Sequence, residues 1–285
     1  MKIFTQIGSL SCPDKLGIVA DVAGFLKQEG GFILESNQFG DVTTGNFFMR
    51  TEFIPQAGAP PFDSLKERFK PIADYFQMQW ELHRLTEKPR VMIMVSCLGH
   101  CLNALLNKAQ MNNLQMEIPC IVSNHPDLKT MANGYQTPFH HLPLSSETKE
   151  QQEEQVLALV EEHRIDLIVL ARYMQILSPS FVEKMKGKII NIHHSFLPSF
   201  KGAKPYHQAH NLGVKLIGAT AHYVSEILDE GPIIEQEVTR VDHTASPEEL
   251  VTIGQDIETI VLARAVKWHI ERRVFLNGAK TVVFR

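Results

Sequence analysis

The sequence predicts an α/β protein in which a smaller βαββαβ unit precedes a doubly wound, mostly parallel sheet that is covered by helices on both faces. Three observations favour this class. Several short segments are apolar throughout, as strands buried on both faces are. Helical segments separate them, which is the alternation expected of a parallel sheet. The chain has 285 residues, enough for two domains, and the polar stretch 86–89 ends in a proline, as a linker does.

The first unit is predicted to span residues 1–84, in the order strand, helix, strand, strand, helix, strand. Its first helix carries apolar residues at helical spacing from Ile18 to Leu26, and the Gly30-Gly31 pair ends it. This order of elements is that of the ferredoxin-like class. The predicted strands are Lys2–Leu10, Phe32–Phe39, Asn46–Phe53 and Met78–His83, and the predicted helices are Gly17–Gln28 and Phe62–Phe76.

The second unit, residues 85–285, alternates strands and helices. Ligands of such sheets bind beyond the carboxyl ends of the strands, so the residues that follow a strand are the candidates for a site. The last helix begins with a capping box at Ser246 and Glu249, runs to about Arg272, and precedes a hairpin around Asn277-Gly278. The other predicted strands are Arg90–Val95, Cys120–Ser123, Asp166–Leu170 and Ile189–Ile192, and the other predicted helices are Cys101–Ala109 and Glu147–His163.

Composition and charge exclude several classes of function. A net charge of -4 gives no general attraction for nucleic acid. The chain has no export signal and no apolar run long enough to span a membrane, so we expect a cytoplasmic protein with neither nucleic acid nor membrane as a partner. Four cysteines in a chain of this length do not form a disulfide framework. We also expect no metal site, because Cys97 and Cys101 flank His100 but no second ligand pair follows.

The segment 188–198 carries the polar side chains best suited to chemistry. A buried apolar strand delivers Asn191 and His193 two residues apart, hence on one face, at its carboxyl end. The adjacent His194 is then expected on the opposite face, as a supporting residue. A later strand, residues 218–224, runs into a loop that carries Asp229. Two polar groups on one face beside a proline-containing loop favour a site over hydrogen-bonded core residues, although an acidic loop tip alone is more often simply solvated.

Together these two segments resemble the catalytic centre of the folate-dependent formyltransferases. The resemblance covers about residues 90–240 and consists of an Asn-x-His strand end, a Leu-Pro loop and a later Leu-Asp-x-Gly-Pro turn. It implies that Asn191 and His193 hold the formyl oxygen and that Asp229 manages protons. These residue types suit hydrolysis of a formamide, because preformed donors stabilise the charge that builds on the oxygen. The nucleophile must also lose a proton, and the departing nitrogen must gain one.

The same resemblance implies a folate site. The segment 171–177 is similar to the family's folate-binding loop, whose backbone pairs with the pterin, and residues 224 and 225 would lie on the pterin's other side. Gln175 stands where relatives often have arginine. The implied folate contacts are Tyr173, Met174, Gln175, Ile176, Leu177, Val224 and Ser225.

The chain departs from the family members that bind an amine acceptor. Glycinamide ribonucleotide transformylases carry a Gly-x-Gly-Ser-Asn turn for the acceptor's phosphate, and the turn 96–101 here lacks that pattern. The stretch 12–19 resembles the opening of ACT domains, which commonly bind amino acids. An ACT-like module in front, with the segments 193–198 and 202–208, resembles the formyltetrahydrofolate deformylases. That resemblance implies cofactor-free hydrolysis of 10-formyltetrahydrofolate to formate and tetrahydrofolate, which supplies formate for purine synthesis and balances the one-carbon folate pool.

The ACT-like unit is expected to be regulatory or oligomer-forming. This implies a homo-oligomer with an amino-acid effector near Asp14, Leu16 and Gly17. Alternatives stay open: formyl transfer to an unidentified amine acceptor, an amino-acid-sensing binding protein without turnover, and a serine hydrolase using Ser195 without the usual Gly-x-Ser-x-Gly turn. A further alternative is a metallohydrolase, whose ligands would come from His193, His194, His207, His210 and Asp229.

Overall fold

The computed structural model describes residues 5–145, 148–197 and 205–285, and divides the chain into two compact units. One unit contains residues 1–88 and 271–285, and the other contains residues 89–270. Three predicted features lie partly or wholly outside the described residues: the start of the first strand, Glu147 at the start of a helix, and the segment 198–204. Among the described residues, no helix combines the length and apolar character that a membrane crossing requires.

The first unit contains a four-stranded antiparallel sheet and two helices, and the predicted order of elements is confirmed. Its strands are β1 (Gln6–Pro13), β2 (Gly31–Asp41), β3 (Asn46–Pro55) and β4 (Gln79–Arg84), and its helices are α1 (Ile18–Gln28) and α2 (Phe62–Phe76). The sheet order is β2-β3-β1-β4. The apolar faces of both helices pack into one core with the sheet, in which the rings of Phe25 and Phe69 lie 5.1 Å apart.

The second unit alternates strands with helices around one mostly parallel sheet, as predicted. Its strands are β5 (Val91–Val95), β6 (Ile121–Ser123), β7 (Phe139–His141), β8 (Leu167–Leu170), β9 (Ile189–His193), β10 (Leu216–Tyr223) and β11 (Ile233–Arg240). Its helices are α3 (His100–Gln110), α4 (Lys129–Gly134), α5 (Lys149–Glu162), α6 (Pro179–Lys184), α7 (Pro205–Asn211) and α8 (Pro247–Ile270). The sheet order is β11-β10-β9-β8-β5-β6-β7, in which β10 runs antiparallel to both of its neighbours.

Burial explains which elements were predictable. All five side chains of β5 are buried, which requires an uninterrupted apolar run. The elements that were not predicted, α4, β7, α6 and α7, span only three to seven residues, too few to show a period. The capping box of α8 is confirmed. The backbone N–H of Ser246 donates to the carboxylate of Glu249 at 2.7 Å, and the N–H of Glu249 donates to the Ser246 hydroxyl at 3.2 Å.

A C-terminal hairpin, β12 (Val274–Asn277) and β13 (Lys280–Val283), belongs to the first unit. The ring of Phe275 lies 5.8 Å from that of Phe48 on β3, and the Arg273 guanidinium lies 2.9 Å from the Glu35 carboxylate. The hydrogen bond from Arg273 is the main cause that lowers the pKa of Glu35. These long-range contacts hold the hairpin to the first unit, so the structure places residues 271–285 there instead of in the predicted range 85–285.

The strand order also fixes where a ligand can bind. In the sheet, β6 and β7 lie on one side of β5, and the later strands β8 and β9 lie on its other side. Connections that diverge in this way leave a crevice beyond the carboxyl ends of the strands. The loop after β8 and the end of β9 both reach this edge, which brings the predicted folate loop and the Asn-x-His segment together.

Candidate active site

Asn191 and His193 lie on one face of β9, as predicted, and a third polar residue faces them from β10. The antiparallel register places His222 directly opposite Asn191. Residues that are opposite one another in adjacent strands have neighbouring side chains. The Nε2 atom of His222 lies 3.3 Å from the Asn191 amide nitrogen, and its Nδ1 lies 2.9 Å from the backbone oxygen of Tyr223. Because a carbonyl oxygen only accepts, Nδ1 donates, which leaves Nε2 of the neutral ring to accept from Asn191.

The loop after β10 turns back sharply and brings Asp229 to this face. Asp229 has a φ of 58°, in the left-handed region, and its Oδ1 lies 3.2 Å from His193 Nδ1 and 3.7 Å from His222 Nε2. A Cβ atom on Gly231 would lie 1.7 Å from the backbone oxygen of Tyr223. Only glycine therefore allows the loop to pass so close to β10. The Gly-Pro pair noted in the sequence is what folds Asp229 onto the two histidines.

The contacts of Asp229 determine its charge. A hydrogen bond from His193 is the main cause that holds the pKa of Asp229 well below its usual range. The carboxylate is therefore ionised at neutral pH, and His193 donates to it through Nδ1. The Nε2 atom of His193 is buried and has no hydrogen-bond partner among the described residues. An oriented imidazole with a free second nitrogen is the arrangement of a general base.

These polar residues line a pocket of about 620 Å³. The pocket has the size of a small-molecule site, and its mouth carries exposed apolar side chains such as Met174 and Ile227. The Tyr173 hydroxyl is turned away and donates to the Gln152 amide oxygen at 3.2 Å, whereas the Met174 N–H donates to the Ser96 hydroxyl at 3.0 Å. The residues predicted to contact folate all line this pocket: Tyr173, Met174, Gln175, Ile176, Leu177, Val224 and Ser225.

The predicted orientation of His194 is wrong. The rings of His193 and His194 are stacked, with centroids 4.8 Å apart and an interplanar angle of 21°, and both residues line the same pocket. The reason is that β9 ends at His193, so the alternation of faces along the strand does not extend to the next residue. His194 therefore lies beside the reacting groups, and not behind them.

Among the described residues, none of the groups of side chains that could hold a metal ion includes Asp229 or His193. His207 and His210, which the metallohydrolase alternative would use as ligands, are on α7 and do not line the pocket. The exposed Cys97 and the buried Cys101 belong to different groups. The three groups are Cys120, His140 and His163; Cys97, His125 and Asp127; and His100, Cys101 and Glu258.

The predicted effector residues lie in the turn between β1 and α1. Gly17 has a φ of 100°, which favours glycine, and Leu16 is fully exposed. The backbone N–H of Asp14 donates to the oxygen of Gly45 at 2.8 Å, which ties this turn to the start of β3. Backbone contacts therefore hold the turn in place, and the side chains of Asp14 and Leu16 are exposed to solvent.

Sequence reasoning did not identify His222 as a member of the site. The residue stands in the apolar run 216–223, where a single histidine is more often a satisfied core residue. The signal that would have found it is cross-strand register, because His222 pairs with Asn191 across β9 and β10. Register cannot be derived from either strand alone.

Comparison with known proteins gives a consistent result. A family model described as formyl transferase matches residues 89–266. The formyltetrahydrofolate deformylase of Corynebacterium sp. (strain P-1) is 47% identical over 277 residues, which cover 97% of each chain. That of Synechocystis sp. is 46% identical over 284 residues, which cover 100% of each chain. The crystal structure of formyltetrahydrofolate deformylase from Burkholderia mallei is 52% identical, with a TM-score of 0.95, and the match covers 99% of this chain and 100% of that one.

Proposed function

Because the chain belongs to the formyl transferase family, and within it to the formyltetrahydrofolate deformylases, we propose that it hydrolyses 10-formyltetrahydrofolate to formate and tetrahydrofolate. One observation supports this most directly. Asn191, His193 and Asp229 meet at one end of a pocket whose wall is the predicted folate loop. A carbonyl-activating amide, an oriented imidazole and a carboxylate are the groups that hydrolysis of a formamide needs.

Asn191 is assigned to the formyl oxygen. The sequence placed His193 in the same role, but the contact of its Nδ1 with Asp229 assigns His193 to proton transfer instead. Its amide nitrogen carries two hydrogens, of which one is directed at His222 Nε2 and the other remains for a ligand. The contact with His222 fixes the amide before substrate arrives. A donor fixed in advance stabilises the developing oxyanion without reorganisation during the reaction. His222 is therefore a positioning residue in this mechanism.

Asp229 is assigned to proton management, acting through His193. A carboxylate with so low a pKa is a weak base toward water, but it orients the imidazole and stabilises the imidazolium that forms. The free Nε2 of His193 takes a proton from the attacking water as the oxygen–carbon bond forms. The same proton then passes to the folate nitrogen as the carbon–nitrogen bond breaks. One proton is taken and one is returned, so the site ends in its starting state.

The folate part of the substrate is assigned to the loop 173–177. In this region the pocket is lined by the exposed apolar side chains of Met174 and Ile176, which suit the face of a flat heterocycle. Val224 and Ser225 are assigned to the opposite side. Gln175 contributes no charge here, so the acidic tail of the substrate is not paired with a cation at this position.

Hydrolysis is preferred over transfer because the relatives that match nearly the whole chain are named deformylases. The turn after β5 also differs from a phosphate-binding turn, since the His100 side chain is committed to a contact with Glu258 at 2.7 Å. A Cβ atom on Gly99 would lie 2.9 Å from the side chains of Leu128 and Met131, so this turn is closely packed. Formyl transfer to an unidentified amine is the second candidate. Incubation with and without an amine distinguishes transfer from hydrolysis.

The test is incubation of the whole chain with 10-formyltetrahydrofolate in the absence of any amine acceptor. Formate and tetrahydrofolate are expected in equal amounts, measured by a formate-specific assay and by the absorbance of the folate. We further propose that no metal takes part, so exhaustive chelation is expected to leave the rate unchanged. Formate production that appears only after an amine is added would contradict hydrolysis and favour the transferase.

The first unit is proposed to be an ACT-type regulatory module that forms a homo-oligomer. Support comes from its antiparallel sheet order β2-β3-β1-β4 with two helices, and from the ordered turn at Gly17. Asp14 and Leu16 are assigned to an amino-acid effector. In this role the module would adjust formate supply for purine synthesis to the state of the one-carbon pool.

Asp14→Ala is expected to weaken the response to an effector without changing turnover in its absence. A point variant is preferred over removal of residues 1–84, because the hairpin 271–285 belongs to the same unit. Each of the twenty amino acids is tested for its effect on the melting temperature and on formate release. The matched control is Asp63→Ala, another exposed acid of the first unit. The effector assignment would be overturned if no amino acid shifts either measurement in the parent protein.

A further inference from the structure

His194 presents an imidazole to the pocket that the mechanism above does not use. Its ring lies parallel to that of His193, and no described residue forms a hydrogen bond with it. The neighbouring His193 Nε2 likewise has no described partner. Two stacked imidazoles with free nitrogens therefore face one pocket, and the reaction requires a water molecule to be held there.

A buried charged network surrounds Glu258 and includes Tyr206, whose ring lies 6.5 Å from that of His194. Glu258 on α8 is 1% exposed, and its carboxylate lies 2.7 Å from His100 Nε2, 2.9 Å from the Tyr206 hydroxyl and 3.5 Å from Arg172 Nε. A carboxylate this deeply buried must be paired, and its partners come from α3, α7 and the loop after β8. Arg172 lines the catalytic pocket, so the network reaches the site.

Two backbone features are adapted to this network. Arg172 has a φ of 64°, in the left-handed region that favours glycine. The chain nevertheless carries an arginine at this position. A Cβ atom on Gly254 would lie 2.1 Å from the Tyr206 hydroxyl oxygen, so glycine in the middle of α8 makes room for the tyrosine. Gly254 and Glu258 are four residues apart, on one face of the helix. The glycine at position 254 therefore allows Tyr206 to reach Glu258.

We propose that His194 holds the attacking water, and that Arg172 and Glu258 position His194 for this task. The inference rests on the hydrolysis proposed above and names the residue that supplies its nucleophile. Ring centroids 4.8 Å apart can be bridged at their edges by one water, because two hydrogen bonds of about 2.8 Å span that separation. The water donates one hydrogen bond to His194 and gives its other proton to His193 Nε2 as its oxygen attacks the formyl carbon.

Burial, with Arg172 nearby, keeps the His194 ring neutral, which a group that accepts a hydrogen bond from water must be. Burial lowers the pKa of His194 to about 4, and the positive charge of Arg172 acts in the same sense, while Glu258 and Asp229 act in the opposite sense. Tyr206 also faces the ring, with centroids 6.5 Å apart. A neutral imidazole at pH 7 retains the lone pair that accepts from water.

The direct test is His194→Phe, which keeps an aromatic ring for the stack and removes both nitrogens. We expect kcat to fall about a hundredfold with KM changed less than about threefold, the scale of a lost acid–base or water-holding group. His194→Gln, whose amide oxygen can accept from water, should recover part of this loss. His163→Phe, at a half-buried histidine outside the pocket, is the control and should retain the parent rate. If His194→Phe does not fold, His194→Leu takes its place, with the same expected changes in kcat and KM.

A second measurement separates water holding from a structural role. With hydroxylamine present, the formyl group partitions between formate and formohydroxamate, because hydroxylamine competes with water for the same carbon. Loss of the positioned water should raise the hydroxamate-to-formate ratio at least about tenfold in His194→Phe. An unchanged ratio, or a kcat within about threefold of the parent, would overturn the role of His194. If the parent itself releases no formate, the proposed hydrolysis fails instead, so the two failures are distinct.

The roles of Arg172 and Glu258 are tested by the pH dependence of kcat. Arg172→Gln removes a positive charge and should raise the pKa of His194, so the loss of activity on acidification begins at a higher pH than in the parent. Glu258→Gln removes a negative charge. In this variant the loss of kcat on acidification should begin at a lower pH than in the parent, or at the same pH. General loosening of the fold would move both variants the same way, and that outcome would overturn the positioning role.

Discussion

Replacing Asp229 with asparagine is expected to lower kcat at least about a hundredfold while leaving the affinity for folate nearly unchanged. The amide keeps the shape of the side chain but not the charge that orients and stabilises the His193 imidazole. Asparagine can also offer its NH2 group to His193 Nδ1, which favours the wrong tautomer and takes the lone pair away from Nε2. Single-turnover rates and binding of tetrahydrofolate, measured on the same preparation, separate the two effects.

The control for this variant is Asp242→Asn, at an exposed aspartate outside the pocket whose pKa is also lowered, in this case by hydrogen bonds from Thr244. It should retain the parent rate. A value of kcat for Asp229→Asn within about fivefold of the parent would remove Asp229 from proton management. Equal losses in folate binding and in kcat would instead indicate that Asp229 only shapes the pocket.

Asn191→Ala is expected to lower kcat by about a hundred- to a thousandfold, the usual effect of losing one oxyanion donor. The variant leaves His222 Nε2 without the donor 3.3 Å away, so a small loss of stability should accompany the loss of rate. KM should change little, because the donor acts mainly on charge that develops during the reaction. The measurement is the dependence of the initial rate of formate release on substrate concentration.

Asn113→Ala, at an exposed asparagine in the loop after α3, controls for loss of a side-chain amide and should behave as the parent. His222→Asn offers a finer comparison, since an amide oxygen can replace Nε2 as the acceptor for Asn191. Its kcat should fall less than that of Asn191→Ala. An Asn191→Ala variant with near-parent kcat would place the oxyanion donor elsewhere.

Features that depend on local pattern were predictable from the sequence. The strand β5 is buried along its whole length, so its apolar run needed no tertiary information. The capping box of α8 and the glycine-ended helix α1 are likewise set by residues within one turn. Asn191 and His193 share a face because they stand two apart in a strand, and family resemblance then added Asp229.

Features that join distant parts of the chain could not be predicted in this way. Arg273 and Glu35 are 238 residues apart in sequence, and nothing near either one indicates the other. The same holds for Arg172 and Glu258, and for the pairing of His222 with Asn191. The error at His194 has a different cause: the strand ends one residue earlier than the rule of alternating faces assumed.

The docking of residues 271–285 on the first unit has a consequence for how the protein is made. The ribosome completes residues 1–88 first, but the segment that pairs with Glu35 and lies against Phe48 is synthesised only after residues 89–270. At about 5 to 20 residues per second, the intervening chain takes roughly ten to forty seconds to emerge. Throughout that interval Arg50 lacks its contact with the backbone oxygen of Glu271. A chain that is cut short before residue 271 therefore has a first unit that lacks all of these contacts.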